Sequence, residues 1–132
     1  PMALQVPPNC DLTLGLRCVD KSVPGASIWE MRADERFANP AGIIQGGFLS
    51  AMLDSSMGAS AVTALKGRRA NVANAEMKVS FLRPARVGTL LRCETATTHA
   101  GSTVLFLEGR ITDDSGNVIA TATSSYIARD RT

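Results

Sequence analysis

The chain has 132 residues, 14 basic and 12 acidic side chains, and a net charge of +2. Apolar residues make up 45% and charged residues 20%, which is too apolar and too nearly neutral for a disordered chain. The length suits one domain, able to bury about 68% of the surface of its unfolded chain, and the composition excludes a collagen, a coiled coil and a disulfide scaffold.

Residues 1–13, with Pro7, Pro8 and Asn9, read as an irregular lead-in. Leu14, Leu16 and Cys18 then alternate with Gly15, Arg17 and Val19, which predicts a strand to Asp20. The Pro24-Gly25 turn joins it to a second strand over 26–36, giving a hairpin. Asn39 to Gly47 is a loop, with Asn39-Pro40, Gly42 and the pair Gly46-Gly47. After it the period changes. Leu49, Leu53, Met57, Ala61 and Leu65 fall four apart, which predicts a helix of about twenty residues. A helix nearly uncharged all round is expected to be buried. Ala73, Ala75, Met77, Val79 and Phe81 then alternate with polar residues as a strand ended by Arg83-Pro84-Ala85. Three more strands are expected near 88–98, 102–112 and 117–128, with turns at Gly101 and Asp113–Asn117. The order is α+β: one antiparallel sheet covering one long helix.

Asp54 is the only charged residue between Gln45 and Leu65. Either it faces solvent or a basic partner at a helix contact, or it is a buried carboxylate, whose raised pKa would suit a general base. Gly46 and Gly47 open the same helix. Either they serve a tight turn, or the first helical amides, which lack internal partners, form a cradle for a developing oxyanion. Gly46 and Asp54 lie eight residues apart, about 12 Å along a helix axis. One reacting carbon cannot touch both. If both act in one reaction, they come from different copies, as an antiparallel helix pair across a two-fold axis with two equal sites.

Other chemistries lack their residues. The single histidine, His99, falls in a predicted turn beside Ala100-Gly101, and Cys10, Cys18 and Cys93 show no CxxC or zinc spacing, so no metal site is expected. There is no nucleophile elbow, P-loop or dinucleotide fingerprint. The thiols read as reduced and the chain as cytoplasmic. The first twenty residues lack the basic start and apolar run of a secretory signal, and no stretch reads as a membrane span. Lys66, Arg68 and Arg69, and then Arg83 and Arg86, form two small basic clusters. These are either solvated surface or a grip on a few phosphates of a small ligand, and nucleic-acid binding is not expected.

Three segments taken together carry a resemblance: Asn39-Pro40-Ala41-Gly42-Ile43-Ile44-Gln45-Gly46-Gly47, then Leu53-Asp54, then Phe81-Leu82-Arg83-Pro84-Ala85. They resemble the hotdog-fold acyl-CoA thioesterases of the PaaI type, over residues 12 to 129. The resemblance implies a hotdog fold, a sheet wrapped around one long helix, and a homodimer or homotetramer whose site is shared between subunits. It implies hydrolysis of an aryl- or medium-chain acyl-CoA, with coenzyme A as part of the substrate and no cofactor. Asp54 matches the family's catalytic acid, a general base or nucleophile. Gly46 matches the glycine whose amide polarises the thioester carbonyl, and Asn39 an asparagine that orients it. Asn74 stands where relatives keep a Ser or Thr that helps place the water. Gln45 replaces a histidine common in the family; it can still donate a hydrogen bond, but it cannot titrate. The basic residues become candidates for the phosphates of coenzyme A. Gly47, with Met57 and Ala61 as pocket lining, completes the expected substrate site. The alternative is a non-catalytic acyl-CoA binding or regulatory module on the same fold, which Gln45 keeps open. A hotdog dehydratase is disfavoured because His99 lies far from the helix in sequence.

Overall fold

The computed structural model describes residues 5–131. The elements in chain order are α1 (Asn9–Leu14), β1 (Arg17–Asp20), β2 (Ala26–Arg32), a 3-10 turn (Glu35–Phe37), α2 (Gly46–Ala64), β3 (Ala70–Phe81), β4 (Leu90–Ala100), β5 (Val104–Thr112) and β6 (Val118–Asp130). The six strands form one antiparallel sheet in the order β1-β2-β4-β5-β6-β3. The sheet wraps α2, which packs against β2, β3, β4, β5 and β6. This is the hotdog arrangement, as expected.

Three local expectations are corrected. The lead-in contains a helix, α1, which ends where Gly15 adopts φ 70° and returns its amide to the carbonyls of Asp11 and Leu12. Leu14 therefore closes a helix rather than opening a strand, and β1 is only four residues long. The register shifts between Asn74 and Glu76. That bulge re-aims the strand, so the half-buried residues are Val72 and Asn74 before it and Met77, Val79 and Ser80 after it, while Ala73, Ala75 and Phe81 are exposed. His99 lies within β4 at a second register shift, exposed, its ring 5.6 Å from that of Phe106, rather than in a turn.

The core forms between α2 and the sheet. Leu49, Met52, Leu53, Met57 and Ala61 of the helix meet Leu91, Cys93, Leu105, Leu107 and Ile111 of the strands. Gly109 on β5 permits the close approach: a side chain there would start 3.0 Å from Leu53 and 3.1 Å from Thr95. The hydroxyls of Ser27, Ser60 and Thr95 lie 2.6–3.0 Å from one another within this core. Ser27 and Thr95 each also reach the Ser56 carbonyl at 3.1 Å, pinning the helix to β2 and β4 just past Asp54.

Only one side of α2 is buried, contrary to the expectation of burial all round. Gly47, Asp54 and Val62 are exposed, and Ala51, Ser55 and Gly58 half-buried, along one stripe. Its small uncharged residues gave the sequence its buried look. No helix among the described residues is long and apolar enough to cross a membrane.

Candidate active site

The start of α2 is held open by its neighbours. Asn39 Oδ1 accepts from the amides of Ala41 (2.9 Å) and Ile43 (3.1 Å), which fixes the turn after Pro40. The Gln45 amide donates to the Phe37 carbonyl at 2.9 Å. The Ile44 amide donates at 2.9 Å to the carbonyl of Ala85, itself buried. The Arg83-Pro84-Ala85 segment is thereby the far wall of the loop. Gln45 is the N-cap residue but makes no capping bond, and the first turn carries no acidic residue. The Gly46 and Gly47 amides are the first two of the helix and have no intrahelical partner. The positive end of the helix dipole is thus left without a side-chain anion. The Phe81 ring covers Gly46 so closely that a side chain there would start 2.9 Å from Cζ.

Asp54 lies two turns further along the same helix. It is not buried, as the general-base reading had expected; it is exposed in the single chain. It is nonetheless held. Tyr126 donates from its hydroxyl to Asp54 Oδ1 at 2.7 Å, and Asn74 donates from Nδ2 to the same oxygen at 3.0 Å. Tyr126 Oη also lies 2.7 Å from the Asp54 main-chain carbonyl. Ser124 Oγ lies 2.6 Å from Asn74 Oδ1, which turns the amide's NH2 group toward Asp54. Burial first, and then the hydrogen bond to Asp54, pushes the ionisation of the Tyr126 phenol well up, so it remains a donor.

The structure brings Asp54 and Asn74 together, with Tyr126 and Ser124, which sequence reasoning missed. The signal lay in β6, where Ser124 and Tyr126 share the inward alternation of Ala122 and Ala128. Asn74 is engaged with the carboxylate itself, through Nδ2. Gln45, Gly46, Gly47 and Asn39 gather at the other end, about 12 Å from Asp54 along the axis. Met57 and Ala61, expected to line an acyl pocket, are fully buried in the core and reach no surface of the single chain.

The two basic clusters lie at opposite ends of α2. Arg68 is committed to Asp130 at 2.8 Å and to the Ser102 carbonyl at 2.6 Å. Arg83 donates to the Val118 carbonyl at 2.9 Å. Lys66, Arg69 and Arg86 are exposed and form no ion pair among the described residues. Arg86 pairs with Ile43 through the backbone, beside the opening loop of α2. Among the described residues no three His, Cys, Asp or Glu side chains gather as a metal site would need. Cys93 is buried, and burial pushes its thiol up to about 12, so it is no nucleophile.

The family model of the thioesterase superfamily matches residues 41–120, more than half of the chain and all of α2. The chain belongs to the thioesterase superfamily. As a member it is a thioester hydrolase by class. The phenylacetic acid degradation-related protein of Ralstonia eutropha JMP134 is 31% identical in sequence, with a TM-score of 0.83 over 91% of this chain and 89% of that one. The PaaI protein from the phenylacetic acid degradation operon of E. coli shares the fold at 17% identity, with a TM-score of 0.86 over 93% and 86%. A hypothetical thioesterase protein of Streptococcus pneumoniae TIGR4, solved with coenzyme A, shares it at 16% identity and a TM-score of 0.80 over 88% and 87%. Comparison with curated protein sequences gives no significant match.

Proposed function

We propose that this superfamily member hydrolyses an aryl- or medium-chain acyl-CoA to the free acid and coenzyme A, at a site shared by two copies of the chain. The observation that carries the reading is a separation. A carboxylate held by donors and an uncapped helix start stand on one helix, about 12 Å apart. Two antiparallel copies of α2 would bring Gly46 of each opposite Asp54 of the other, with the two-fold axis near Ser50. The exposed stripe of small residues on α2 is the surface such a pair would cover. The relative solved with coenzyme A supports the choice of thiol. Lys66, Arg69 and Arg86 are the members of the two basic clusters left to meet its phosphates.

In this reading water attacks the thioester carbon, and its proton passes to the Asp54 carboxylate. The carbonyl oxygen takes up the negative charge and is held by the Gly46 amide of the other copy, with the Gln45 and Asn39 carboxamides nearby. The tetrahedral adduct collapses, the carbon–sulfur bond breaks, and the coenzyme A thiolate takes the proton back from Asp54. Water is the only co-reactant, so no cofactor is needed. Three unpaired thiols suit a reducing, cytoplasmic setting.

The test is coenzyme A release from a panel of acyl-CoA thioesters, with wild type beside Asp54→Ala. Asp54 is exposed, so the variant is expected to fold and to lose activity on the order of a hundredfold or more. A variant that keeps most of its activity would remove Asp54 from the reaction. Tight binding without release from any thioester would mean a binding module, with Gln45 marking the lost activity.

A further inference from the structure

Asp54 is held through one of its two oxygens. Oδ1 receives the Tyr126 hydroxyl at 2.7 Å and Asn74 Nδ2 at 3.0 Å, whereas Oδ2 has no partner among the described residues. We propose that Tyr126 is a positioning residue that, with Asn74, occupies Oδ1 of Asp54 and so presents Oδ2 as the oxygen that takes the proton from the attacking water. The inference rests on the hydrolase reading above.

The geometry is over-determined in a way that helix packing alone does not require. Tyr126 Oη sits 2.7 Å from the main-chain carbonyl of Asp54 as well as 2.7 Å from its carboxylate. Bridging the backbone and the side chain of one residue fixes that side chain's rotation. The ring itself cannot swing, because Tyr126 is buried and its edge packs beneath Gly58. Asn74 is fixed in turn by Ser124, whose hydroxyl lies 2.6 Å from Asn74 Oδ1 and 2.7 Å from the Glu76 carbonyl. Asn74 shares the inward face of β3 with Val72, and the bulge follows directly on it. Two donors draw on the lone pairs of Oδ1, and Oδ2 keeps its own for chemistry. An exposed carboxylate on a helix would otherwise sample several rotamers, and misplacement by about 1 Å can cost a hundredfold in rate.

The decisive comparison is Tyr126→Phe in the full chain, with wild type and Asp54→Ala assayed beside it. Removing the hydroxyl is expected to lower kcat roughly tenfold to a hundredfold while KM moves less than about twofold, with thermal unfolding still cooperative. A kcat within about twofold of wild type, or a loss carried by KM alone, would overturn the positioning role. If Tyr126→Phe does not fold, Asn74→Ala removes the other donor, and the same fall in kcat is expected; no fall overturns the inference. A second readout does not depend on turnover. The chain has one tyrosine, so ring-labelled protein gives a single hydroxyl-bearing carbon resonance. That resonance should move in Asp54→Asn, and a resonance that stays put shows that the contact does not exist. Wild type without hydrolase activity, but with a resonance that moves, would sink the hydrolase reading and leave the clamp on Oδ1 standing as a feature of the carboxylate alone.

Discussion

At the scale of single residues, an amide can stabilise an oxyanion only if nothing else uses it. Gly46 meets that condition as the first residue of α2, after an N-cap, Gln45, that makes no capping bond. The position also offers a clean test. Proline is tolerated at the first helical residue, and Gln45 before it is already extended at φ −62°, ψ 139°. Gly46→Pro therefore deletes one N–H while keeping the helix; the Cβ it adds meets the far end of the exposed Phe81 side chain, which can move. It is expected to lower kcat on the order of a hundredfold to a thousandfold, with the circular dichroism unchanged. Full activity would show that this amide touches no reacting atom. Asp54 and Gly46 were legible in the sequence because each broke a pattern: a lone charge on an uncharged helix, and a glycine pair at its start. Tyr126 was not, since a lone tyrosine in a strand looks like core, and its partners are 52 and 72 residues away in the chain. Arg68 reads the same as Lys66 in sequence, and only the fold shows it tied to Asp130.

At the scale of elements, α2 was legible in existence and length from its four-residue period, though it begins at Gly46 inside the expected loop, and the later hairpins were legible from their turns. The bulge beside Asn74 and the short helix α1 were not. A bulge changes register by one residue without changing composition, and α1 is a single closed turn and a half between Pro8 and Gly15. What holds α2 in place is close approach. Leu53, the neighbour of Asp54, rests over Gly109 so closely that a methyl group there would force its neighbours to shift. Gly109→Ala would put that methyl 3.0 Å from Leu53 and 3.1 Å from Thr95. We predict a loss of about 1–3 kcal/mol, seen as a lower melting temperature, with activity falling because the turn that bears Asp54 shifts. A melting temperature equal to that of wild type would mean that the helix does not depend on this contact. The hydroxyls of Ser27, Ser60 and Thr95 act on the same turn from the other side, through the Ser56 carbonyl.

At the scale of the molecule, two of the surfaces left unpartnered among the described residues bear on assembly. One is the stripe of Gly47, Ala51, Ser55, Gly58 and Val62 on α2. The other is the outer edge of β3, twelve residues long and, among the described residues, paired only with β6. Long free edges are uncommon in isolated proteins because they invite pairing with another chain. A second copy of this chain is the occupant that would also complete the site, since neither copy alone can bring Asp54 to a Gly46 amide. The measurement that tests this most directly is complementation. Asp54→Ala and Gly46→Pro chains are each prepared inactive, then mixed, unfolded and refolded together. In a mixed dimer one site has lost both groups and the other has kept both. The account predicts that the mixture regains about a quarter of the wild-type activity, from random pairing into two-fold dimers. A mixture as inactive as its parts would contradict a site shared between copies.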